Sequence, residues 1–265
     1  MRNLSKEDFF KVFKNQAYVN QLKEIPQKFN VVHNEETKIS EITIYGVIGT
    51  SWYSDSFSAS DMDSALNEAG KNDITIRLNS PGGDAFMGIA IYNRLKRHEG
   101  KVTIYVDGWA CSAASVIAMA ADELIMGLGS MFMFHEASNI VWGTKTEMRK
   151  EASILEELEE GIIDIYMTKA NVTREEVRAK LDAETWLSAK STVEIGFANS
   201  TEGVDPEGGN TTTNSALSDD DKRQIMNELK GILKPNNQSQ EPSPTATITN
   251  VETGKGSFNL LKKWR

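Results

Sequence analysis

A single cysteine, Cys111, in a chain of 265 residues excludes an intrachain disulfide and is the usage of a reducing compartment. Long apolar runs are absent too, so nothing in the sequence reads as a bilayer span. Residues 1–13 interleave charges with single apolar side chains and lack the apolar core of a secretory leader. Positive charge is in deficit: 29 Lys and Arg stand against 38 Asp and Glu, for a net charge of -9. That balance argues against a nucleic-acid binder, which shows a basic face or stripe, and against an anionic membrane surface as partner. Histidine is scarce as well, with His33, His98 and His135 the only three. The sequence predicts a soluble, intracellular, acidic protein, and its apolar fraction of 39% is enough for one core.

What is present falls into three parts. Residues 1–40 are polar and read as an N-terminal arm, in which Phe9, Phe10 and Phe13 form a short apolar stripe suited to docking on a neighbouring subunit. Residues 41–200 alternate strand and helix signals. Strands are expected at 42–48, 74–78, 102–106, 123–126 and 131–135 from β-branched content and partial alternation. Helices are expected at about 61–69, capped by Ser60 or Asp61, at 85–97, at 113–121, at 146–170 with a solvated acidic face at Glu156, Glu157, Glu159 and Glu160, and from Thr173 onward. Residues 51–58 read as a loop and residues 182–188 as a break, after which Ser188 caps a short helix. Alternating strands and helices imply βαβ units and a largely parallel sheet. Residues 201–265 hold Pro206, Pro235, Pro242 and Pro244 and are rich in Gly, Thr and Asn. They read as linker and tail, with one amphipathic helix at 217–233 and an apolar, basic docking peptide at 258–265.

Ligands of open parallel sheets sit off the carboxyl ends of the strands, and three features fall there. The first is Gly82-Gly83, after a strand and a proline, where glycine lets backbone approach a ligand. The second is Ser112, between a strand and a run of small residues. The third is His135, closing the apolar run Met131 to Phe134. Serine needs a base within hydrogen-bond reach and a carboxylate to orient that base. His33 lies in the arm and His98 ends a helix, which leaves His135 as the candidate base. The residues alone leave the acid open among Asp182, Glu184 and Glu136. Backbone N–H groups of Gly83 and Ala113 are the candidate oxyanion donors. The Gly-x-Ser-x-Gly elbow of α/β-hydrolases is absent. Cys111 reads as buried filler. Carboxylates along the long helix have the spacing of a surface, so no metal site is expected.

These motifs, in their order and spacing, resemble one family. Asn79-Ser80-Pro81-Gly82-Gly83, the octet from Gly108 to Ser115, Met133-Phe134-His135, the run Glu184 to Ala189 and Glu194-Ile195-Gly196-Phe197 are similar to ClpP-like serine peptidases, above all to the ClpP-related head-maturation (prohead) proteases of tailed phages and prophages. The resemblance implies an α/β fold of ClpP/crotonase type, with stacked ββα units and a projecting handle helix over about residues 143–166. It implies Ser112 as nucleophile, His135 as base, Gly83 and Ala113 as backbone oxyanion donors, and Glu184 as third residue where the family usually has aspartate, with Asp182 as runner-up. It further implies a cytoplasmic, cofactor-free peptidase in homo-oligomeric stacked rings, with phage scaffold and capsid precursors as substrates. The residues before Ile42 do not resemble the axial loops of the housekeeping enzyme. A Clp ATPase partner therefore belongs to an alternative reading, a degradative peptidase. A catalytically inactive crotonase-type scaffold or acyl-thioester binder is the alternative of another class, and such a site has no need of the Ser112 and His135 pair.

Overall fold

In the computed structural model of the chain the described residues are 10, 11, 13–49 and 56–203. The chain divides into two units, Met1–Thr211 and Thr212–Arg265, and everything below concerns the first. The expected linker, the helix at 217–233 and the terminal docking peptide lie outside the described residues, as does most of the 51–58 loop.

The core is one mixed sheet backed by helices. Strands β1 (Lys28–Asn34), β2 (Ile39–Tyr45), β3 (Asp73–Ser80), β4 (Val102–Cys111), β5 (Glu123–Met126) and β8 (Ser200–Thr201) lie side by side in that order, with β6 (Met131–Phe134) and β7 (Thr185–Ser188) branching from the end of β4. From β2 to β8 the pairings are parallel, while β1–β2 and β6–β7 are antiparallel. Ile74, Ile76 and Leu78 of β3 and Val102, Ile104 and Val106 of β4 are buried on one face. Each such side chain contributes roughly 1.5–3 kcal/mol through removal from water. That face is covered by α2 (Ala59–Ala69), α3 (Ala85–Lys96) and α4 (Ala113–Ala118). Met62, Ala65, Leu66 and Ala69 form the buried stripe of α2, at the spacing of one helix face.

Several elements differ from the sequence reading, each for a local reason. Residues 28–34 form an edge strand rather than part of a free arm, and their mostly exposed side chains hide the strand signal. Upstream, the one-turn α1 (Val19–Lys23) buries Val19 and Leu22. Helix α2 is capped by Ser58, not by Ser60 or Asp61. The Ser58 hydroxyl accepts from the Asp61 amide while the Asp61 carboxylate accepts from the Ser58 amide, a capping box that satisfies two otherwise unpaired donors. The long helix α5 (Lys145–Met167) begins at a second capping box, Thr144 with Glu147. Its buried residues all lie from Glu159 onward, so among the described residues its core contacts come from the second half. Glu159 itself leaves the expected solvated face. It is buried because Arg178 of α6 (Arg174–Asp182) donates to it at 2.6 Å and the Ala137 amide donates at 3.0 Å. The expected break at 182–188 contains β7, too short for a period to show. Ser188 caps α7 (Ala189–Glu194) as expected.

Candidate active site

Two strand registers assemble the site. The last residues of β4 pair in parallel with β6, Cys111 opposite Met133, so both strands run off the same end of the sheet. Ser112 is the next residue after one and His135 the first after the other. Their side chains meet there, with His135 Nε2 2.9 Å from Ser112 Oγ. The antiparallel β6–β7 pairing sets Phe134 opposite Thr185. One further step along that register sets His135 opposite Glu184, while Asp182 falls two positions beyond.

Ser112 is held in a conformation that side chains avoid, φ 54° and ψ −124°. Such a residue costs of order 1–3 kcal/mol and persists only where its surroundings fix it. Its amide donates to the Met133 carbonyl at 2.8 Å, and its carbonyl accepts from the Ser115 amide at 2.9 Å. The Pro81-Gly82-Gly83 turn presses against it. A Cβ on Gly82, at φ +92°, would lie 2.5 Å from the Cys111 carbonyl oxygen and 2.7 Å from Ser112 Cβ. A Cβ on Gly83 would lie 1.8 Å from the Ile48 carbonyl oxygen. The turn is tied to Ile48 on both sides, since the Ile48 amide donates to Gly82 O and the Asp84 amide to Ile48 O. Among the described residues the Gly83 and Ala113 amides have no hydrogen-bond acceptor, which leaves both N–H groups available to an incoming oxygen.

His135 is partly buried, and burial pushes its pKa below the usual imidazole value, while Glu184 and Glu136 push it up and Lys14 pushes it down. Its ring stacks on Phe13 with centroids 5.5 Å apart. Glu184 is buried, at φ 53°. Its carboxylate accepts from the backbone amides of Lys14 and Asn15, the latter at 2.8 Å, and from Trp186 Nε1 at 3.1 Å. Among the described residues the hydrogen bond made by the His135 ring is the one to Ser112, so Glu184 acts on it as a neighbouring charge. Asp182 is half exposed and lies 3.7 Å from Arg178. Glu136 is also half exposed and pairs with Lys14 Nζ at 2.9 Å. Of the three carboxylates considered from sequence, Glu184 is the buried one. Cys111 is buried, and burial pushes its thiol pKa up, as expected of filler.

The N-terminal segment is the part of the site that sequence reasoning missed. Phe10, Phe13, Val19 and Leu22 pack with Cys111 and Met133, against Trp109 and Trp186. The segment expected to dock on a neighbouring subunit thus packs beside Ser112 and His135 of its own chain. The spacing of Phe10 and Phe13 was the available signal, but it did not say which surface they cover. A hydroxyl against the ring nitrogen of an imidazole held toward its neutral form, beside two open amide N–H groups, is equipped for base-assisted attack on a carbonyl. Among the described residues no cluster of His, Cys, Asp and Glu is arranged to hold a metal ion, and no helix is long and apolar enough to cross a membrane.

Fold and site together define an α/β protein of ClpP type. Comparison with known families matches residues 20–202 to Clp protease, and the chain belongs to that family. It is 28% identical over 136 residues to an ATP-dependent Clp protease proteolytic subunit 1 of Protochlamydia amoebophila, covering 50% of this chain and 66% of that one. It is 32% identical over 126 residues to a proteolytic subunit 2 of Treponema denticola, covering 47% and 63%. These matches span just under two thirds of the relatives' length. Among solved structures, a ClpP1 variant from Listeria monocytogenes superposes with a TM-score of 0.54 at 23% identity, covering 63% of this chain and 91% of that one, a likeness of fold.

Proposed function

We propose that the chain is a serine endopeptidase working through an acyl-enzyme. Ser112 Oγ attacks the scissile carbonyl as His135 Nε2 takes its proton. The amides of Gly83 and Ala113 receive the developing oxyanion, and His135 returns the proton to the leaving amine. Water then repeats the sequence to release the acyl group. Glu184 is the third residue, a buried negative charge that stabilises the imidazolium while its own position is fixed by Lys14, Asn15 and Trp186. The observation that carries the reading is the 2.9 Å approach of His135 Nε2 to Ser112 Oγ, in a chain matched to the Clp protease family. Cleavage of an unfolded protein substrate tests it. Ser112→Ala is expected to lose at least ~10³-fold in rate, and unchanged cleavage by that variant would refute the proposal.

For the biological role we favour ATP-independent trimming of phage scaffold and capsid precursors, by homo-oligomeric stacked rings in the host cytoplasm or procapsid. Two features support it: the motifs resemble the prohead branch, and residues 13–15 are committed to the chain's own Glu184 and His135. The names of the relatives favour a second reading, a degradative subunit driven by a Clp ATPase. Scaffold cleavage without nucleotide supports the first, and proteolysis that requires ATPase and ATP supports the second.

A further inference from the structure

We infer that Ser115 and Tyr166 are positioning residues that set the Ala113 oxyanion donor through the Ser112 carbonyl. The inference rests on the serine-peptidase reading above. Ser115 is fully buried, and its Oγ lies 2.5 Å from the Ser112 carbonyl oxygen and 2.7 Å from the Tyr166 hydroxyl. A carbonyl only accepts, so the one Ser115 hydroxyl hydrogen goes to Ser112 O. Tyr166 must then be the donor to Ser115 Oγ. The result is a directed chain from Tyr166 to Ser115 to the Ser112 carbonyl. Its far end is rigid: Tyr166 sits near the end of α5, its ring packed on Phe134 and Phe197 at 5.2 and 5.3 Å.

The consequence follows from peptide geometry. The Ser112 C=O and the Ala113 N–H belong to one planar trans unit and point in opposite directions. Fixing the oxygen fixes the hydrogen. Ser112 is at φ 54°, a conformation that relaxes unless held, and relaxation rotates that peptide plane. The chain thus connects the long helix to the donor on which the transition-state charge falls, although neither Ser115 nor Tyr166 touches substrate.

The test uses the full chain as wild type, Tyr166→Phe, Ser115→Ala and the double variant, each with its melting temperature measured. The readouts are the rate of labelling by a fluorophosphonate and the kcat and KM of a peptide substrate across pH. Complete loss of an oxyanion donor costs roughly 10²–10³-fold, so a tilted donor is expected to cost about 10-fold in kcat, with KM little changed. Tyr166→Phe is expected to lose less than Ser115→Ala. The double variant is expected to match Ser115→Ala rather than the product of the two losses, because tyrosine acts through serine. Rates are taken per site titrated to completion by the fluorophosphonate, so that unfolded protein does not count, and kcat per titrated site is expected to fall at an unchanged pH midpoint. Ser115→Ala alone strands a buried phenol hydroxyl and can misfold. The double variant removes that hydroxyl as well and carries the test by itself. Wild-type rates in the double variant, or fully multiplicative losses, overturn this inference. Failure of the wild type to label overturns the peptidase reading, and this inference with it.

Discussion

Replacing Gly82 by alanine separates two costs that the structure states independently. Gly82 is at φ +92°, and its added Cβ would meet the Cys111 carbonyl oxygen at 2.5 Å, Ser112 Cβ at 2.7 Å and the Ala113 amide nitrogen at 2.9 Å. The first cost is conformational, about 1–2 kcal/mol for an L side chain in the left-handed region. The second is overlap with backbone that cannot swing aside, about 1–3 kcal/mol. Gly129 provides the control: it is at φ +79°, and a Cβ there meets nothing within 4 Å. Gly129→Ala should therefore show only the first cost. Gly82→Ala is expected to lose roughly 2–5 kcal/mol in denaturant unfolding and to melt about 4–20 °C lower. The overlap falls on Ser112 and Ala113, so Gly82→Ala should also lose peptidase rate well beyond its stability loss, measured on folded protein below its melting range. Gly129→Ala should keep the wild-type rate. Equal stability and equal activity in the two variants would refute the packing argument.

Four further outcomes follow from the same geometry. Burial lowers the His135 pKa, so the acid limb of kcat/KM should lie below pH 6.5. Glu184→Gln should move it lower and Lys14→Met higher, because the carboxylate raises and the ammonium lowers that pKa. Stability linkage has a matching sign: below pH 6.5 the unfolded chain takes up the His135 proton before the folded one does. This contribution is present in full above pH 6.5 and is lost as pH falls toward the folded pKa, readable as a falling denaturation midpoint. Glu184→Gln should cut kcat while Asp182→Asn leaves it near wild type; the reverse pattern would move the acid to Asp182. Arg178→Met leaves the buried Glu159 carboxylate without its cation and should cost roughly 2–4 kcal/mol by chemical denaturation.

The meeting of Ser112 with His135 was legible because strand ends are local features. Ser112 and His135 each close a β-rich run, and parallel strands bring such ends together without any long-range guess. The stripe on α2 and the Ser188 cap were legible for the same reason. Which carboxylate lies beside His135 was not, since setting Glu184 rather than Asp182 opposite it depends on the β6–β7 register, and β7 is only Thr185–Ser188. Strand β1 was hidden by its exposed edge position. The burial of Glu159 depends on Arg178, 19 positions away and visible as a partner only once α5 and α6 pack. Phe10 and Phe13 announced an apolar stripe, but its cover over Cys111, Met133 and His135 is a tertiary fact.

The most direct test of the central claim is intact mass after treatment with a fluorophosphonate, followed by peptide mapping, on wild type and Ser112→Ala. One adduct on wild type, mapped to Ser112 and absent from the variant, is the predicted result. An adduct at another residue, or none on folded wild type, would contradict the assignment of Ser112 as an activated nucleophile.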